Sequence, residues 1–392
     1  MQKPNTGGIR YLLVGMFLWL FALQELCLFG NTLSYGSTEW LIDYRAGFVR
    51  RGFFGEGLYL LAGSVGISPR IELFVLQSLI ATSYLIVMLL LVWKNREKLG
   101  FMGSIVVLFN PVVLIFVTTD TIGLPEVLFV LISIWHMYLA KKSSETQYLF
   151  RTSLLLGILG SIAALQHEAF IFLAIPFNML LTIRTLKTDR LQNLVKIYTL
   201  PILASLACIV KNGTVGQRFA INDGWTGLGL TLPSHTAINY LGWTAIQGVT
   251  HTMTTDSPTK ILKFLFGAIC FVTPILYLVG VSCQGRGVIR WLRLNETKEL
   301  FLIPLACSLP LFVLASNWNR WLADPVILYA SWKLMNGAIR LPENRLVRIG
   351  LACVSVCFLL FRFCGPQDLI SMRAYLGGPI QQTLHWIHMS LK

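Results

Sequence analysis

Residues 70–93 read RIELFVLQSLIATSYLIVMLLLVW, an almost unbroken run of apolar side chains. A helix needs roughly 20 apolar residues to cross the hydrocarbon core of a bilayer, so this stretch is long enough to span one. The whole chain has the same character, because 55% of its 392 residues are hydrophobic and only 13% are charged. A soluble protein of this size requires a more polar surface. The sequence therefore predicts an integral membrane protein.

Comparable apolar runs recur along the chain and predict an all-α, polytopic protein with about 11 transmembrane helices. Segment 57–66 is too short to span a bilayer and predicts an interfacial helix in the first outer loop. Neither an internal repeat nor a low-complexity tract is visible, so residues 1–392 are predicted to form a single membrane-embedded domain. The runs cover residues 10–30, 70–93, 102–118, 124–140, 152–166, 169–183, 194–210, 259–281, 300–316, 325–339 and 349–364.

Lysine and arginine residues set the predicted orientation, because the cytoplasmic loops of membrane proteins are enriched in them. Basic clusters fall on alternate connections, for example at 94–98 and 286–298. This pattern places the amino terminus in the cytoplasm and the carboxyl terminus on the outer face. The outer face then carries a first loop at 31–69 and a long loop at 211–258.

The composition also bears on partners and cofactors. The net charge of +14 is assigned to loops beside membrane helices, since no basic stripe accompanies a soluble nucleic-acid-binding motif. The eight cysteines are mostly scattered through apolar segments without a metal-binding spacing. We therefore predict membrane lipids as partners, and no nucleic acid, no metal and no cofactor.

The first outer loop carries the strongest functional pattern, WLIDYRAGFVRRGFFGEG at residues 40–57. Arg45, Arg50 and Arg51 lie on the face where the positive-inside rule disfavours arginine. Guanidinium groups bind phosphate bidentately, and glycines let a backbone approach a ligand closely. We interpret these arginines as ligands for the phosphate or pyrophosphate of a polyprenyl carrier. The alternative is a solvated loop whose arginines contact lipid phosphates without selectivity.

Polar side chains recur in two later outer turns. Glu126 enters a membrane segment, where a carboxylate requires a polar cavity, and it is a candidate substrate ligand. Asp120 fits such a substrate-binding role and the cap of the following helix equally well. His167 and Glu168, between two short apolar runs, are candidates for proton transfer. The alternative for these two is an ordinary hydrophilic turn.

A third outer turn reads NWNRWLADP at residues 317–325. Tryptophan rings stack on sugar faces, while amides and carboxylates bind hydroxyl groups. Trp318, Asn319 and Asp324 are therefore candidate sugar or acceptor ligands, and Arg320 is a further candidate phosphate ligand. Tryptophan at an interface is also an ordinary membrane-belt residue.

Together these segments resemble the C-type glycosyltransferase superfold, whose members are polytopic membrane enzymes that use polyprenyl-linked sugars on the outer or lumenal face. The resemblance rests on the first outer loop, with its acid and its short helix, and on the acids of the later outer turns. It implies that Asp43 is the catalytic base that removes the proton from the acceptor hydroxyl.

The chain is also similar to bacterial O-antigen and exopolysaccharide polymerases, in which outer-loop arginines are proposed to bind lipid pyrophosphate. Both resemblances imply a glycosyltransferase of the bacterial inner membrane that acts on the periplasmic face in surface polysaccharide synthesis. The donor would be an undecaprenyl-linked sugar and the acceptor a glycan or a lipid-linked glycan. The alternatives are a polymerase joining lipid-linked repeat units, a lipid-linked glycan flippase and a structural subunit. In the polymerase case the long loop, which has only Arg218, departs from the family pattern.

Overall fold

The computed structural model describes most of the chain between residues 35 and 357, and within the described residues it contains helices, turns and connections but no strand. This confirms the predicted all-α class. The described residues are 35–117, 123–234, 236–255, 258–281, 291–314, 318–339 and 344–357, together with the single residues 15, 33 and 342.

Within the described residues, four helices are long and apolar enough to cross a membrane. They are Pro69–Lys94, Glu145–Gln166, Arg190–Val210 and Asn295–Leu314. A fifth candidate is the pair Arg96–Leu108 and Pro111–Val117, which is bent by 56°. The bend arises because Asn110 caps a new helix there: its side-chain oxygen accepts a hydrogen bond from Val112 N at 2.9 Å.

The prediction of about 11 spanning helices is not supported. Several other predicted runs do coincide with helices, but these helices are too short, too charged or too broken to meet the length and hydropathy of a span. Run 169–183, for example, is interrupted at Ala174, because Pro176 begins a second helix. Run 10–30 and the end of run 349–364 lie outside the described residues. The described helices that correspond to the remaining runs include Glu126–Lys142, Pro258–Leu276, Trp318–Met335 and Arg345–Cys357.

The described residues divide into two compact units. The first consists of the described parts of Met1–Trp93 and Phe116–Ala245 and contains most of the candidate site residues. Its helical segments are Tyr35–Thr38, Glu39–Leu41, Phe53–Val65, Pro69–Lys94, Glu126–Lys142, Glu145–Gln166, Phe170–Leu173, Ile175–Thr185, Arg190–Val210, Val215–Gly227 and Ala237–Tyr240.

A buried polar network joins four helices of this unit. His136 Nδ1 lies 2.8 Å from Asn178 Oδ1, and His136 Nε2 lies 2.7 Å from the hydroxyl of Tyr148. The hydroxyls of Thr182 and Tyr198 lie 2.9 Å apart. Hydrogen bonds of this kind stabilise packing between apolar helices, where water does not compete for the polar groups.

The second unit consists of the described parts of Lys94–Ile115 and Ile246–Lys392. Asn95 Nδ2 donates to Leu334 O at 2.7 Å, and Trp332 Nε1 donates to Glu296 Oε1 at 2.7 Å. Lys333 also forms an ion pair with Glu296. The helical segments are Arg96–Leu108, Pro111–Leu114, Ile115–Val117, Ala245–Thr255, Pro258–Leu276, Tyr277–Val281, Asn295–Leu314, Trp318–Met335 and Arg345–Cys357.

The predicted short helix of the first loop is present as Phe53–Val65. One face is buried through Gly55, Leu58 and Ala62, while Leu60 and Leu61 are exposed. An exposed apolar face on a helix too short to span a membrane is typical of an interfacial helix. Its placement at an interface, the orientation of the chain and the single-domain organisation remain predictions.

Candidate active site in the first loop

Two buried tryptophans fix the path of the first loop. Trp40 Nε1 donates to Gly123 O at 2.9 Å, and Trp225 Nε1 donates to Leu41 O at 2.6 Å. Trp40 and Leu41 are fully buried. Because indole N–H groups are satisfied by backbone carbonyls from distant parts of the unit, the loop is held in one place on both sides.

Gly55 allows the Phe53–Val65 helix to lie directly against this loop. A Cβ at Gly55 would overlap with the carbonyl of Ile42 and would lie 2.9 Å from Trp40 O. Both neighbours are backbone atoms and cannot rotate away. The glycine is therefore required for the close approach that positions residues 43–52.

Asp43 and Arg45 form a bidentate ion pair. Arg45 Nη2 lies 2.8 Å from Asp43 Oδ2, and Arg45 Nε donates to Asp43 Oδ1 at 3.0 Å. Arg45 also donates to Ile221 O at 3.0 Å and lies 3.5 Å above the ring of Tyr59. The carboxylate of Asp43 is 0% exposed, so both of its oxygens are occupied and shielded from solvent. This geometry ties the first loop to the Val215–Gly227 helix, and the predicted role of Asp43 as the base remains a prediction.

Arg51 is the centre of a second ionic group. Its Nε and Nη2 donate to the two oxygens of Glu168 at 2.9 and 2.7 Å. Its Nη1 lies 3.5 Å from Glu39 Oε1. The backbone of Arg51 has φ 68°, a left-handed conformation that residues with a Cβ rarely adopt. Backbone strain of this kind is concentrated at functional sites, where the surrounding contacts must maintain it.

Arg50 reaches the same carboxylate from a different direction. Its Nη1 lies 3.7 Å from Glu168 Oε1, and its Nη2 donates to Tyr240 O at 2.8 Å. Two guanidinium groups therefore converge on one carboxylate, which is the arrangement that proteins use to bind a phosphate.

Glu39, Glu126 and His167 form the buried side of this group. His167 Nε2 lies 4.0 Å from Glu39 Oε2 and 3.8 Å from Glu126 Oε1. One donor atom from each of the three residues lies within 4.8 Å of the others, so the set resembles a metal-binding triad. We call the whole group the ionic cluster, and it consists of Glu39, Arg50, Arg51, Glu126, His167 and Glu168.

The hydrogen bonding of His167 indicates which of its two ring nitrogens carries the proton in the neutral form. Ala169 N donates to His167 Nδ1 at 3.1 Å, so Nδ1 carries a lone pair. In the neutral ring the proton then lies on Nε2, which is the nitrogen that faces Glu39 and Glu126. A metal bound at Nε2 would require the opposite tautomer, with two N–H groups facing each other. In the neutral form, the imidazole N–H therefore faces the carboxylates of Glu39 and Glu126, at 4.0 and 3.8 Å.

The environment of Glu168 stabilises its ionised form. Burial alone raises the pKa of this carboxyl, but the charge of Arg51 and the hydrogen bonds from Arg51 outweigh it. The pKa of Glu168 consequently lies well below its ordinary value. Glu168 is an anion that fills the position between Arg50 and Arg51.

Of the predicted site residues, the structure brings together Arg50, Arg51, Glu126, His167 and Glu168. Asp43 and Arg45 instead bind each other, and Asp120 lies outside the described residues.

The remaining candidates belong to the second unit. Trp318 packs its ring against Phe264 and Phe312, with centroids 5.3 and 5.9 Å apart. Arg320 and Asp324 are buried one turn apart on the Trp318–Met335 helix.

Glu39 was missed by sequence reasoning, although it is an acid four residues before Asp43. Nothing in its local sequence distinguishes it from a solvated loop residue. Gln166, which lay beside the predicted pair at 167–168, also has an unpredicted role. It accepts a hydrogen bond from Phe54 N at 3.0 Å and donates to Glu39 O at 3.2 Å, so it fixes the loop against the cluster.

Comparison with models of protein families, with curated proteins and with solved structures found no match for this chain. The functional interpretation therefore depends on the chemistry of the site.

Proposed function

We propose that this chain is a membrane glycosyltransferase that transfers a sugar or glycan from an undecaprenyl-(pyro)phosphate-linked donor to a cell-envelope glycan. The donor phosphate would bind at Arg50 and Arg51, on the periplasmic face of the inner membrane.

One observation carries this proposal: two partly buried arginines of an otherwise apolar helical protein converge on a single carboxylate, that of Glu168. Charged groups at such a position in a membrane protein are costly and mark functional sites. A phosphate is also an anion, and two of its oxygens can accept the two parallel hydrogen bonds that a guanidinium group donates to a carboxylate. It would therefore replace Glu168 on the guanidinium groups.

The charge balance of Arg50 supports the same proposal. Burial lowers the pKa of its guanidinium below the ordinary value, although Glu168 acts in the opposite direction. The single 3.7 Å contact with Glu168 therefore does not fully offset the desolvation of Arg50. A phosphate carrying more than one negative charge would offset it better than one shared carboxylate.

Arginines fixed in this way would also favour the chemical step. When the bond between the anomeric carbon and the phosphate oxygen breaks, negative charge accumulates on the departing phosphate. Fixed cations that face this charge stabilise the transition state more than the ground state.

The test is mass spectrometry of lipid-linked and envelope glycans in cells that lack the protein. A transferase predicts envelope glycans short of one sugar, with accumulation of the unused donor. A polymerase predicts loss of the ladder of repeat units, whereas a flippase predicts accumulation of complete lipid-linked glycans on the cytoplasmic face. Unchanged glycans and unchanged lipid-linked intermediates would contradict the proposal.

A further inference from the structure

The ion pair between Arg51 and Glu168 has the geometry of an occupied anion site. Glu168 places both carboxylate oxygens on one edge of the Arg51 guanidinium, at 2.7 and 2.9 Å. A phosphate would use the same edge of the same group, because both anions bind a guanidinium through two parallel hydrogen bonds. Glu168 and a phosphate ligand of Arg51 are therefore mutually exclusive.

Glu168 lies where an incoming anion could displace it. The side chains of Arg51 and Glu168 are 18% and 14% exposed, in contrast with the 0% of Asp43 in the other ion pair. Glu168 also lies in a short connection, after the helix Gly160–Gln166 and before the helix Phe170–Leu173. A rotation of its side chain would leave in place the backbone hydrogen bond from Ile171 N to Glu168 O, at 3.3 Å.

Arg51, in contrast, is held in place by contacts that do not involve Glu168. Its Nη1 faces the buried carboxylate of Glu39 at 3.5 Å, and its left-handed backbone restricts the direction of its side chain. If Glu168 leaves, Arg51 keeps a counter-ion and its position. Glu39 thus acts as a positioning residue for the guanidinium.

We propose that Glu168 is a general base that is masked by Arg51 until the donor phosphate displaces it. Donor binding replaces the carboxylate on the guanidinium, and the released carboxylate then accepts the proton of the acceptor hydroxyl. This inference rests on the proposed function and assigns to Glu168 the proton transfer within it.

The release of Glu168 changes its basicity in the required direction. While Arg51 is bound, the pKa of the carboxyl lies well below its ordinary value, and the group is a poor base. Loss of these hydrogen bonds removes one cause of the lowered pKa, and the negative charge of a phosphate bound to Arg50 and Arg51 offsets the arginine charges that also lower it. A base is most effective when its pKa approaches the working pH. Glu168 is therefore a stronger base after the donor is bound than before.

The oxygen of the acceptor hydroxyl forms a bond to the anomeric carbon of the donor sugar, and its O–H proton passes to the carboxylate of Glu168. The bond from the anomeric carbon to the phosphate oxygen breaks, and its electron pair stays on the phosphate. Arg50 and Arg51 neutralise this additional charge.

The test compares binding and transfer in Glu168→Gln. Binding of inorganic pyrophosphate and of undecaprenyl pyrophosphate is measured on the purified full chain in lipid nanodiscs. Because glutamine competes for Arg51 without a charge, the variant should bind both probes roughly tenfold more tightly than the wild type. Glycosyl transfer should fall by about 100-fold or more, as expected for loss of a general base.

Glu56→Gln is the matched control, since Glu56 accepts a hydrogen bond from Tyr44 N in the same loop and does not contact either arginine in the described structure. Glu56→Gln should leave pyrophosphate binding and glycosyl transfer near the wild-type values. Weaker or unchanged pyrophosphate binding by Glu168→Gln would overturn the masking, and unimpaired transfer would overturn the role as the base. If the wild type itself bound no pyrophosphate and its deletion left the glycans unchanged, the proposed function would fail instead.

Glu168→Asp keeps the inference testable if the glutamine variant does not fold. Aspartate retains the charge, but a side chain shorter by one methylene group cannot make both hydrogen bonds to Arg51 without moving the backbone. This variant should also bind pyrophosphate more tightly than the wild type and should retain part of the transfer activity. Binding equal to or weaker than that of the wild type would again contradict the masking.

Discussion

Arg51 donates two hydrogen bonds to Glu168, a residue 117 positions further along the chain. The pair links the first loop to the connection between the helix Glu145–Gln166, a candidate membrane span, and the short helix Phe170–Leu173. The position of Glu39 on the other side of Arg51 extends this link into the buried interior. The ionic cluster can therefore serve both the stability of the unit and its chemistry.

Glu168→Gln should lower stability in a way that depends on pH. The pKa of Glu168 is depressed in the folded state, so its stabilising contribution is complete above the unfolded-state value of about 4.3 and is lost as the pH falls through the folded-state value. At neutral pH the free energy of unfolding of the variant should be lower by about 3 kcal/mol, since Arg51 loses the charge of Glu168 and keeps that of Glu39. The difference in unfolding temperature, measured in detergent from pH 7 downwards, should stay constant to about pH 4 and narrow only as the pH falls further. A gap that stays constant with pH would exclude an ionic contribution.

Gly55→Ala and Gly57→Ala should have opposite effects, although both lie in the Phe53–Val65 helix. The methyl group at position 55 would overlap with the backbone carbonyl of Ile42, whereas nothing lies within 4 Å of a Cβ at Gly57. We expect Gly55→Ala to lower the free energy of unfolding by roughly 3 kcal/mol. Gly57→Ala should raise it by up to about 1 kcal/mol, because alanine has the higher helix propensity. Equal effects in thermal unfolding would contradict the close approach at Gly55.

Gly224→Ala should break the ion pair of Asp43 without changing any charge. A Cβ at Gly224 would occupy the position of the Arg45 guanidinium, whereas a Cβ at Gly227 of the same helix meets nothing within 4 Å. Displacement of Arg45 leaves the buried carboxylate of Asp43 without its bidentate partner, at a cost of about 3 kcal/mol. Gly227→Ala is the control and should unfold close to the wild-type temperature.

Asp43→Asn distinguishes the two candidate bases. Because Asp43 binds Arg45 through both oxygens, we expect this variant to lose thermal stability, and to lose transfer only to the extent that the first loop is displaced. Pyrophosphate binding should stay close to that of the wild type. If transfer were abolished at unchanged stability, Asp43 would be the base and the role assigned to Glu168 would be wrong.

The fold could be predicted from the sequence where a single helix is long and apolar. Run 70–93 corresponds to the helix Pro69–Lys94, which is only one residue longer at each end. The count of 11 spans is not supported by the described residues, in part because hydropathy does not register the breaks: a new helix begins at Ile175, before Pro176, within run 169–183, and Asn110 caps a new one within run 102–118. Asn110 acts through its side-chain hydrogen bond to Val112 N and Pro176 through its missing N–H group, and each changes the mean hydropathy of a run very little.

The candidate site could be predicted where a residue type occurs at a predicted location that disfavours it. Arg50 and Arg51 were identified because arginine is disfavoured on the outer face, where the pattern of basic residues predicts this loop to lie. The contact of Arg51 with Glu168 depends on tertiary packing over 117 positions, and no local pattern reports it. Glu39 was missed for the same reason, since its importance arises only from the neighbours that the fold brings to it.

The most direct measurement of the central claim is photo-crosslinking of a polyprenyl phosphate analogue to the purified protein in nanodiscs. The account predicts labelled peptides from the first loop, competition by undecaprenyl pyrophosphate, and loss of labelling in Arg50→Gln and Arg51→Gln. Arg218→Gln is the matched control, because Arg218 lies in the same unit and contacts Phe219 rather than the cluster, and it should be labelled like the wild type. Labelling of the Arg50 and Arg51 variants at the wild-type level would contradict the account.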